Sequence, residues 1–347
     1  MKRYKWFIPA LLALALAGCA RQDDSPTLAE DGMAAIESEN YEGAIKSFSA
    51  SIEAGEDELV SYRGMGMAYL GQGNYEEAVK SLDQALRMTD EKMQETKKDL
   101  LYYKATALYR QEDFSGAVRA CDEILQIAGE ANAYYLRGAC YLELDEGDKA
   151  KVNFDAAVGK APQDFDLYLN IYECYKEKKL SAEGDAYLQQ AMAIETDTQE
   201  AAYQRARIYY AMESYEEAKK ELDELVEAGD GDSMLLMGQV YLAMEDYAHS
   251  RSMYQQYMEK EGESARAYNG VVLADLAQGD SQGALEHISA GLKLEDEDGR
   301  QELLFNEIVA YEYERDFQTA KEKAKAYVQQ YPQDEAGQKE YEFLKSR

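Results

Sequence analysis

A small residue returns nine times along the chain at nearly constant spacing. We call these positions the markers; they are Ala44, Ala78, Ala117, Ala150, Gly184, Ala218, Ser250, Ala284 and Ala320. The intervals between them are 34, 39, 33, 34, 34, 32, 34 and 36 residues. Self-similarity at this period predicts a stack of identical supersecondary units rather than one globular core. We therefore expect the function to lie on a surface that the stacked units share.

Each marker has similar neighbours at fixed distances along the chain. In six repeats an aromatic ring lies three residues before the marker, and in six a tyrosine lies nine before it. Gly or Ala lies twelve before the marker in six repeats, and a large apolar side chain lies four after it in seven. Two helices of roughly 13 residues and a short turn fit one repeat. The small residues twelve apart therefore predict a close crossing of these two helices.

This pattern resembles the tetratricopeptide repeat family. The resemblance covers about residues 25 to 332 as nine units, and the segment YYLRGACYLELDEGDKAKVNFDAAVGKAP from Tyr134 to Pro162 shows it best. Tyr172, Val272 and Ile308 depart from it, because they replace the small residue of the first helix. The family's fold implies an all-α, right-handed superhelical solenoid of about nine helix-turn-helix units with an inner groove.

Two segments vary the regular pattern. The longest interval contains MTDEKMQETKK at Met88 to Lys98, whose composition favours helix, so we predict an extended first helix in the third repeat rather than a linker. The tail from Asp334 to Arg347 places Ala336, Tyr341 and Leu344 among charges. That spacing predicts a C-terminal capping helix with a polar outer face.

The first nineteen residues carry a second strong pattern. A basic start precedes an apolar run of 12 residues from Trp6 to Ala17, followed by Gly18 and Cys19. A lasting membrane-spanning helix needs about 20 apolar residues, so the pattern predicts a secretory signal. Its end resembles a bacterial lipoprotein lipobox, which implies cleavage before Cys19 and lipidation of that thiol. An ordinary signal peptide with a chance cysteine is the alternative.

These patterns predict three segments and a location. Residues 1–18 are the lipoprotein signal peptide, residues 19–27 are a tether after lipidated Cys19, and residues 28–347 are the solenoid with its C-terminal cap. The protein would be exported and anchored by acyl chains. The anchor would hold it at the outer face of the plasma membrane, or at the outer membrane in a diderm bacterium.

Charge limits the classes of partner. The chain has 68 acidic and 37 basic residues, which gives a net charge of −31. Because such a chain repels phosphate backbones, we predict that nucleic acid is not a partner. A solvated outer face accounts for the remaining acidity.

No residue set in the sequence proposes a reaction, a metal site or a cofactor. Cys140 and Cys174 have the same phase in neighbouring repeats, which places them farther apart than a disulfide allows, so with Cys121 they are predicted to be buried small apolar residues. His249 and His287 have no partner at ligand spacing, and we predict that both face solvent. The sequence therefore predicts a protein that is not an enzyme.

The family resemblance implies that groove-facing residues lie about fifteen, eleven, eight and seven before the marker. As partner-binding candidates those phases give Arg63, Tyr102, Tyr109, Arg110, Tyr135, Lys176, Tyr203, Arg207 and Tyr210. Tyrosine and arginine dominate binding hot spots, so we interpret these residues as a set. Any single groove tyrosine is explained better by packing or by ordinary surface exposure than by contact with a partner. No asparagine lies eleven before a marker, so the clamp for a terminal carboxylate found in chaperone-binding members is not expected here.

These observations favour an exported, membrane-anchored scaffold that binds another protein or an extended peptide at the cell envelope. The alternative is a glycan-binding surface lipoprotein, because tyrosine faces stack on sugar rings. An enzyme is the third and weakest interpretation.

Overall fold

The computed structural model describes residues 26–194, 198–294 and 298–347. Within these ranges the chain forms nineteen helices and no strand. The helices are α1 (Leu28–Glu37), α2 (Tyr41–Glu53), α3 (Glu58–Gly71), α4 (Tyr75–Arg87), α5 (Gln94–Arg110), α6 (Phe114–Ile127), α7 (Ala131–Glu143), α8 (Gly147–Lys160), α9 (Phe165–Glu177), α10 (Ser181–Met192), α11 (Gln199–Ala211), α12 (Tyr215–Glu227), α13 (Gly231–Ala243), α14 (Tyr247–Glu261), α15 (Ala265–Gln278), α16 (Ser281–Gly291), α17 (Arg300–Tyr313), α18 (Phe317–Gln330) and α19 (Glu335–Lys345). The predicted signal peptide and Cys19 lie outside the described residues.

The helices pack in chain order within two compact units. One unit ends at Tyr187 and the other begins at Leu188. In each unit a helix packs mainly on the helices before and after it, and the first helices of consecutive repeats also touch each other. This arrangement confirms the predicted all-α solenoid class of stacked helix pairs.

The markers lie where the two helices of each repeat cross. All nine are buried. A Cβ atom added at Gly138 would lie 2.8 Å from a ring carbon of Phe154, and one added at Gly238 would lie 2.7 Å from the Tyr254 ring. The small residue twelve before the marker therefore faces the large side chain four after it, and this contact confirms the predicted close crossing.

In the fifth repeat the first helix carries a large side chain at the crossing, and the marker on the second helix has no side chain. Tyr172 replaces the small residue of the first helix, and the marker on the second helix is Gly184. A Cβ atom at Gly184 would lie 3.0 Å from Tyr172 Cδ2, so the missing marker side chain makes room for the ring. Val272 and Ile308, the other two departures, are also fully buried.

The turn between the two helices has the same backbone in every repeat. The residue five before the marker has a positive φ in all nine: Glu39, Gly73, Glu112, Asp145, Lys179, Glu213, Glu245, Gly279 and Arg315. Seven of these residues are not glycine, although the left-handed region costs a residue with a Cβ about 1–2 kcal/mol. The next residue caps the second helix in most repeats, as when Asp113 accepts a hydrogen bond from the Gly116 amide at 2.8 Å.

Both predicted variations of the pattern are present. At 17 residues α5 is longer than the other first helices, while residues 88–93 before it form a turn rather than helix. The tail forms α19, which buries Leu344 against α17 and α18. Its N-cap, Asp334, accepts a hydrogen bond from the Tyr327 hydroxyl, and Gln301 Nε2 donates to the same hydroxyl at 2.8 Å.

Candidate functional site

Arg63 on α3 reaches the first helix of the next repeat. Its Nε donates to Asp99 Oδ2 at 2.6 Å, and its guanidinium carbon lies 5.4 Å from the centre of the Tyr103 ring. Burial lowers the pKa of Arg63, but the hydrogen bond to Asp99, the charge of Asp99 and the nearby Tyr103 together outweigh burial, so the pKa lies above its ordinary value. This guanidinium is engaged within the chain.

The two groove tyrosines of α5 hydrogen bond to carboxylates of the following repeat. Tyr102 Oη donates to Glu130 Oε2 at 3.0 Å, and Tyr109 Oη donates to Glu143 Oε1 at 3.5 Å. Burial, assisted by these carboxylates and other nearby acidic groups, raises the pKa of both phenols. Lys98 Nζ donates to the other oxygen of Glu130 at 2.6 Å. The phenols are therefore fixed in place by the neighbouring repeat.

The inner residues of α7 and α9 show the same type of contact. Tyr135 Oη lies 3.5 Å from Cys174 Sγ, and Lys178 pairs with Glu143 at 2.8 Å. Lys176 lies 5.0 Å from the centre of the Tyr172 ring, and it also pairs within α9. Most of these bonds join first helices one repeat apart, so they hold successive first helices in register.

Arg110, the last residue of α5, differs from these residues. It is exposed, and it has no hydrogen bond or ion pair with any residue that the structure describes. The structure thus brings Tyr102, Tyr109 and Arg110 onto one helix of the N-terminal compact unit, with the phenols held and the guanidinium open to solvent.

The remaining candidates lie in the C-terminal compact unit, on α11. Tyr203 and Tyr210 pack against a buried cluster that includes Ala206 and Leu236. Arg207 Nη1 donates to Gln204 Oε1 at 2.6 Å. Burial and Asp232 raise the pKa of Tyr203, although Arg207 and Arg266 act in the opposite direction. The predicted set is therefore divided between two units, and its role in partner binding stays a prediction.

Two family models with the same description match this chain. Both are described as tetratricopeptide repeat; one matches residues 29–90, 63–132 and 235–298, and the other matches residues 181–240. Together they span well over half of the sequence. The chain is a tetratricopeptide repeat protein. No curated protein matches it.

Solved structures to which the chain is similar include three of low sequence identity. A tetratricopeptide repeat protein from Parabacteroides merdae shares 16% identity, covering 83% of this chain and 98% of that chain, with a TM-score of 0.47. MamA shares 22% identity over 46% of this chain and 92% of its own, with a TM-score of 0.40. A human IFIT1 dimer with PPP-AAAA shares 13% identity, covering 93% of this chain and 87% of that chain, with a TM-score of 0.41. Likenesses at this level say nothing about what this repeat protein binds.

Polar pairs sixteen residues apart join the two helices of single repeats, and sequence reasoning missed them. Arg137 Nε donates to Asn153 Oδ1 at 2.8 Å, Arg205 donates to Glu221 Oε2 at 2.8 Å, and Lys323 Nζ donates to Glu307 Oε1 at 2.7 Å. In each pair one residue lies thirteen positions before the marker and the other lies three positions after it. A search for complementary side chains at a separation of sixteen could have found them.

The eighth repeat holds a buried carboxylate where six other repeats have tyrosine. Asp275 is 2% exposed and binds Arg251 of α14 and His287 Nδ1 of α16, the latter at 2.7 Å. The side chain of His287 is 39% exposed, so it faces solvent as predicted, and in addition one ring nitrogen is bonded to Asp275. His249 is exposed as predicted and lies 2.7 Å from Asp246 Oδ2.

The three cysteines after Cys19 are buried and free, in agreement with the prediction. Burial raises the pKa of Cys121 and Cys174 to about 12, which keeps both thiols protonated at neutral pH. Across the described residues no group of three or more His, Cys, Asp and Glu side chains is arranged to hold a metal ion. None of the described helices is both long and apolar enough to cross a membrane.

Proposed function

We propose that this protein is an exported scaffold, anchored by a lipid on Cys19, that binds another protein or an extended peptide through the inner face of its first helices. The tetratricopeptide repeats support protein or peptide partners in general. The basic start, the short apolar run and the cysteine at position 19 support export and lipidation.

The observation that carries the binding proposal is the arrangement around Arg110. A guanidinium presents planar donors that pair with carboxylates in a bidentate way. The adjacent phenols of Tyr102 and Tyr109 are already ordered by Glu130 and Glu143, so they lose little conformational entropy when a partner binds. We therefore propose that the partner places a carboxylate on Arg110 and an apolar group beside the tyrosine rings.

Capture from intact cells tests this binding face. Cross-linking followed by mass spectrometry should recover a dominant protein with the parent chain and lose most of it with Arg110→Ala. Arg119→Ala is the matched control, because Arg119 is an exposed arginine on the second helix of the same repeat, also without a partner among the described residues. Equal recovery with both variants would contradict the proposal.

The anchor has a separate test. Radiolabelled fatty acid should enter the parent protein, and Cys19→Ser should abolish incorporation and release the protein from the membrane fraction. Helical content should stay unchanged, because the described repeats bury their apolar faces against one another. Incorporation of label into Cys19→Ser would show that position 19 is not the lipidated residue.

A further inference from the structure

An amide pair joins the first helices of the last two repeats in the C-terminal compact unit. Asn306 Nδ2 on α17 donates to Asn269 Oδ1 on α15 at 2.7 Å. The amide nitrogen of Asn269 and the amide oxygen of Asn306 have no partner among the described residues. Turning both amides over leaves the same free groups, one N–H donor and one oxygen acceptor. The pair therefore presents a donor and an acceptor side by side.

Apolar side chains adjoin the amide pair. Leu273 lies one helical turn after Asn269 and is 37% exposed, although it is a large aliphatic residue. Val309 has the same phase in the next repeat and is half-buried. Tyr313, one turn farther along α17, is 59% exposed. Residues three and four apart share one face of a helix, so these side chains continue the face that carries the amides.

An exposed cation lies on the same face of α15. Arg266 precedes Asn269 by three residues and has no hydrogen bond or ion pair among the described residues. It is close enough to the Tyr203 phenol to oppose the rise in the pKa of Tyr203 that burial causes. In a chain with a net charge of −31, an unpaired guanidinium at this place offers a specific contact for a carboxylate.

We propose that Arg266, Asn269, Leu273, Asn306, Val309 and Tyr313 form a docking surface for an extended peptide segment of a partner protein that carries apolar side chains and a carboxylate. One backbone C=O of the peptide accepts from the free amide N–H, and one backbone N–H donates to the free amide oxygen. The apolar side chains pack on Leu273, Val309 and Tyr313, while the carboxylate pairs with Arg266. This inference rests on the proposed function and adds the chemistry of the segment recognised.

The mixture of groups favours a peptide over a glycan. A peptide unit presents one donor and one acceptor, which matches the free groups of the amide pair. Sugar hydroxyls could satisfy the same amides, and a sugar ring could stack on Tyr313. They would leave the aliphatic surface of Leu273 and Val309 without an apolar partner, whereas side chains of an extended peptide cover it.

A display library of random peptides, selected on the mature full chain, tests the surface. A synthetic copy of the most enriched peptide would be titrated by fluorescence anisotropy. We expect Leu273→Asp to weaken binding by about tenfold and Asn306→Ala by about fivefold. Leu180→Asp is the matched control, since Leu180 is 38% exposed and lies in the other compact unit; it should change affinity by about twofold at most. Circular dichroism verifies that each variant keeps its helical content.

Backbone recognition has its own measurement. Methylating one peptide nitrogen at a time should identify a position that weakens binding to the parent but not to Asn306→Ala, because both changes remove one hydrogen bond. An enriched peptide that ignores Leu273→Asp and Asn306→Ala but loses affinity with Arg110→Ala would overturn this surface and leave the proposed function intact. Failure to enrich any peptide, together with binding on a glycan array, would overturn both.

Discussion

The fifth and eighth repeats solve the same packing problem with opposite chemistry. Nine residues before the marker, the fifth repeat places Tyr175, whose ring lies 5.5 Å from Phe154 and 5.9 Å from Tyr187. At the same position the eighth repeat places the Asp275 carboxylate, 2% exposed. An aromatic ring is stabilised mainly by contact area, while a buried carboxylate needs bonded partners to offset its lost hydration.

The comparison shows which changes each repeat can tolerate. Arg251 comes from the preceding repeat and His287 from the second helix of the same repeat, so the partners of Asp275 lie on two different helices. The aromatic cluster depends instead on shape. We therefore expect loss of volume to be most damaging in the cluster, and loss of charge to be most damaging in the eighth repeat.

The largest loss of stability should come from a change in the aromatic cluster around Phe154. Phe154 is fully buried and contacts the rings of Tyr135, Tyr175 and Tyr187. Phe154→Ala should lower the free energy of unfolding by about 3–5 kcal/mol, because it removes apolar contacts and leaves a cavity. Urea denaturation followed by far-UV circular dichroism measures this change in the free energy of unfolding. Val152→Ala, at a residue that is 67% exposed on the same helix, should change stability by about 0.5 kcal/mol at most.

A change in the eighth repeat should lower stability somewhat less. Asp275→Ala should lower the free energy of unfolding by about 3 kcal/mol, since it leaves Arg251 and His287 without their shared carboxylate. Hydrogen exchange should show this loss of stability as faster exchange of the backbone amides in α14, α15 and α16. Asp148→Ala, at an exposed acid of α8, is the control. If Asp275→Ala leaves the protection of these amides from exchange unchanged, the buried charge does not stabilise this repeat.

Overpacking the marker position separates the effect of volume from that of charge. Ala150 is fully buried, and its carbonyl oxygen lies close to Gly138 of the facing helix. Ala150→Leu should cost about 1–3 kcal/mol, with the damage passed chiefly to adjoining repeats because a solenoid has nearest-neighbour contacts. An unchanged denaturation midpoint would contradict the assignment of this residue to the crossing.

Much of the fold follows from the sequence, because helix crossings repeat at a period that is visible without coordinates. The markers, the small residues twelve before them and the large residues four after them all belong to that period. In the sequence, glycine marks the left-handed turn in only two repeats, at Gly73 and Gly279. At seven other repeats the neighbouring helices impose the same conformation on residues with a Cβ, and single-residue preferences do not reveal this.

The candidate site was less predictable than the fold. Sequence phase placed Tyr102, Tyr109 and Arg110 on one first helix, but only the structure shows that the phenols bind Glu130 and Glu143 while the guanidinium has no partner among the described residues. Which carboxylate meets which phenol depends on how successive repeats stack, and a single sequence contains no direct record of that geometry.

The smallest effect concerns the shared turn. Glu112 has a φ of 63°, so Glu112→Gly should relieve backbone strain and stabilise the protein by about 1 kcal/mol, whereas Gly73→Ala, at a φ of 75°, should destabilise it by a similar amount. Thermal denaturation of both variants measures the pair. A loss of stability in Glu112→Gly would show that contacts of the glutamate side chain outweigh the strain.

Site-specific photo-cross-linking tests the proposed binding face most directly. A benzophenone amino acid would replace Thr106, which lies on the first helix of the third repeat one turn before Arg110 and eleven residues before the marker, or Arg119 on the second helix, in the full-length protein in intact cells. Arg110 itself is kept, and the binding proposal predicts a discrete cross-linked protein from position 106 and none from position 119. A product formed from position 119 alone would place the partner on the second-helix side and contradict binding through the inner face.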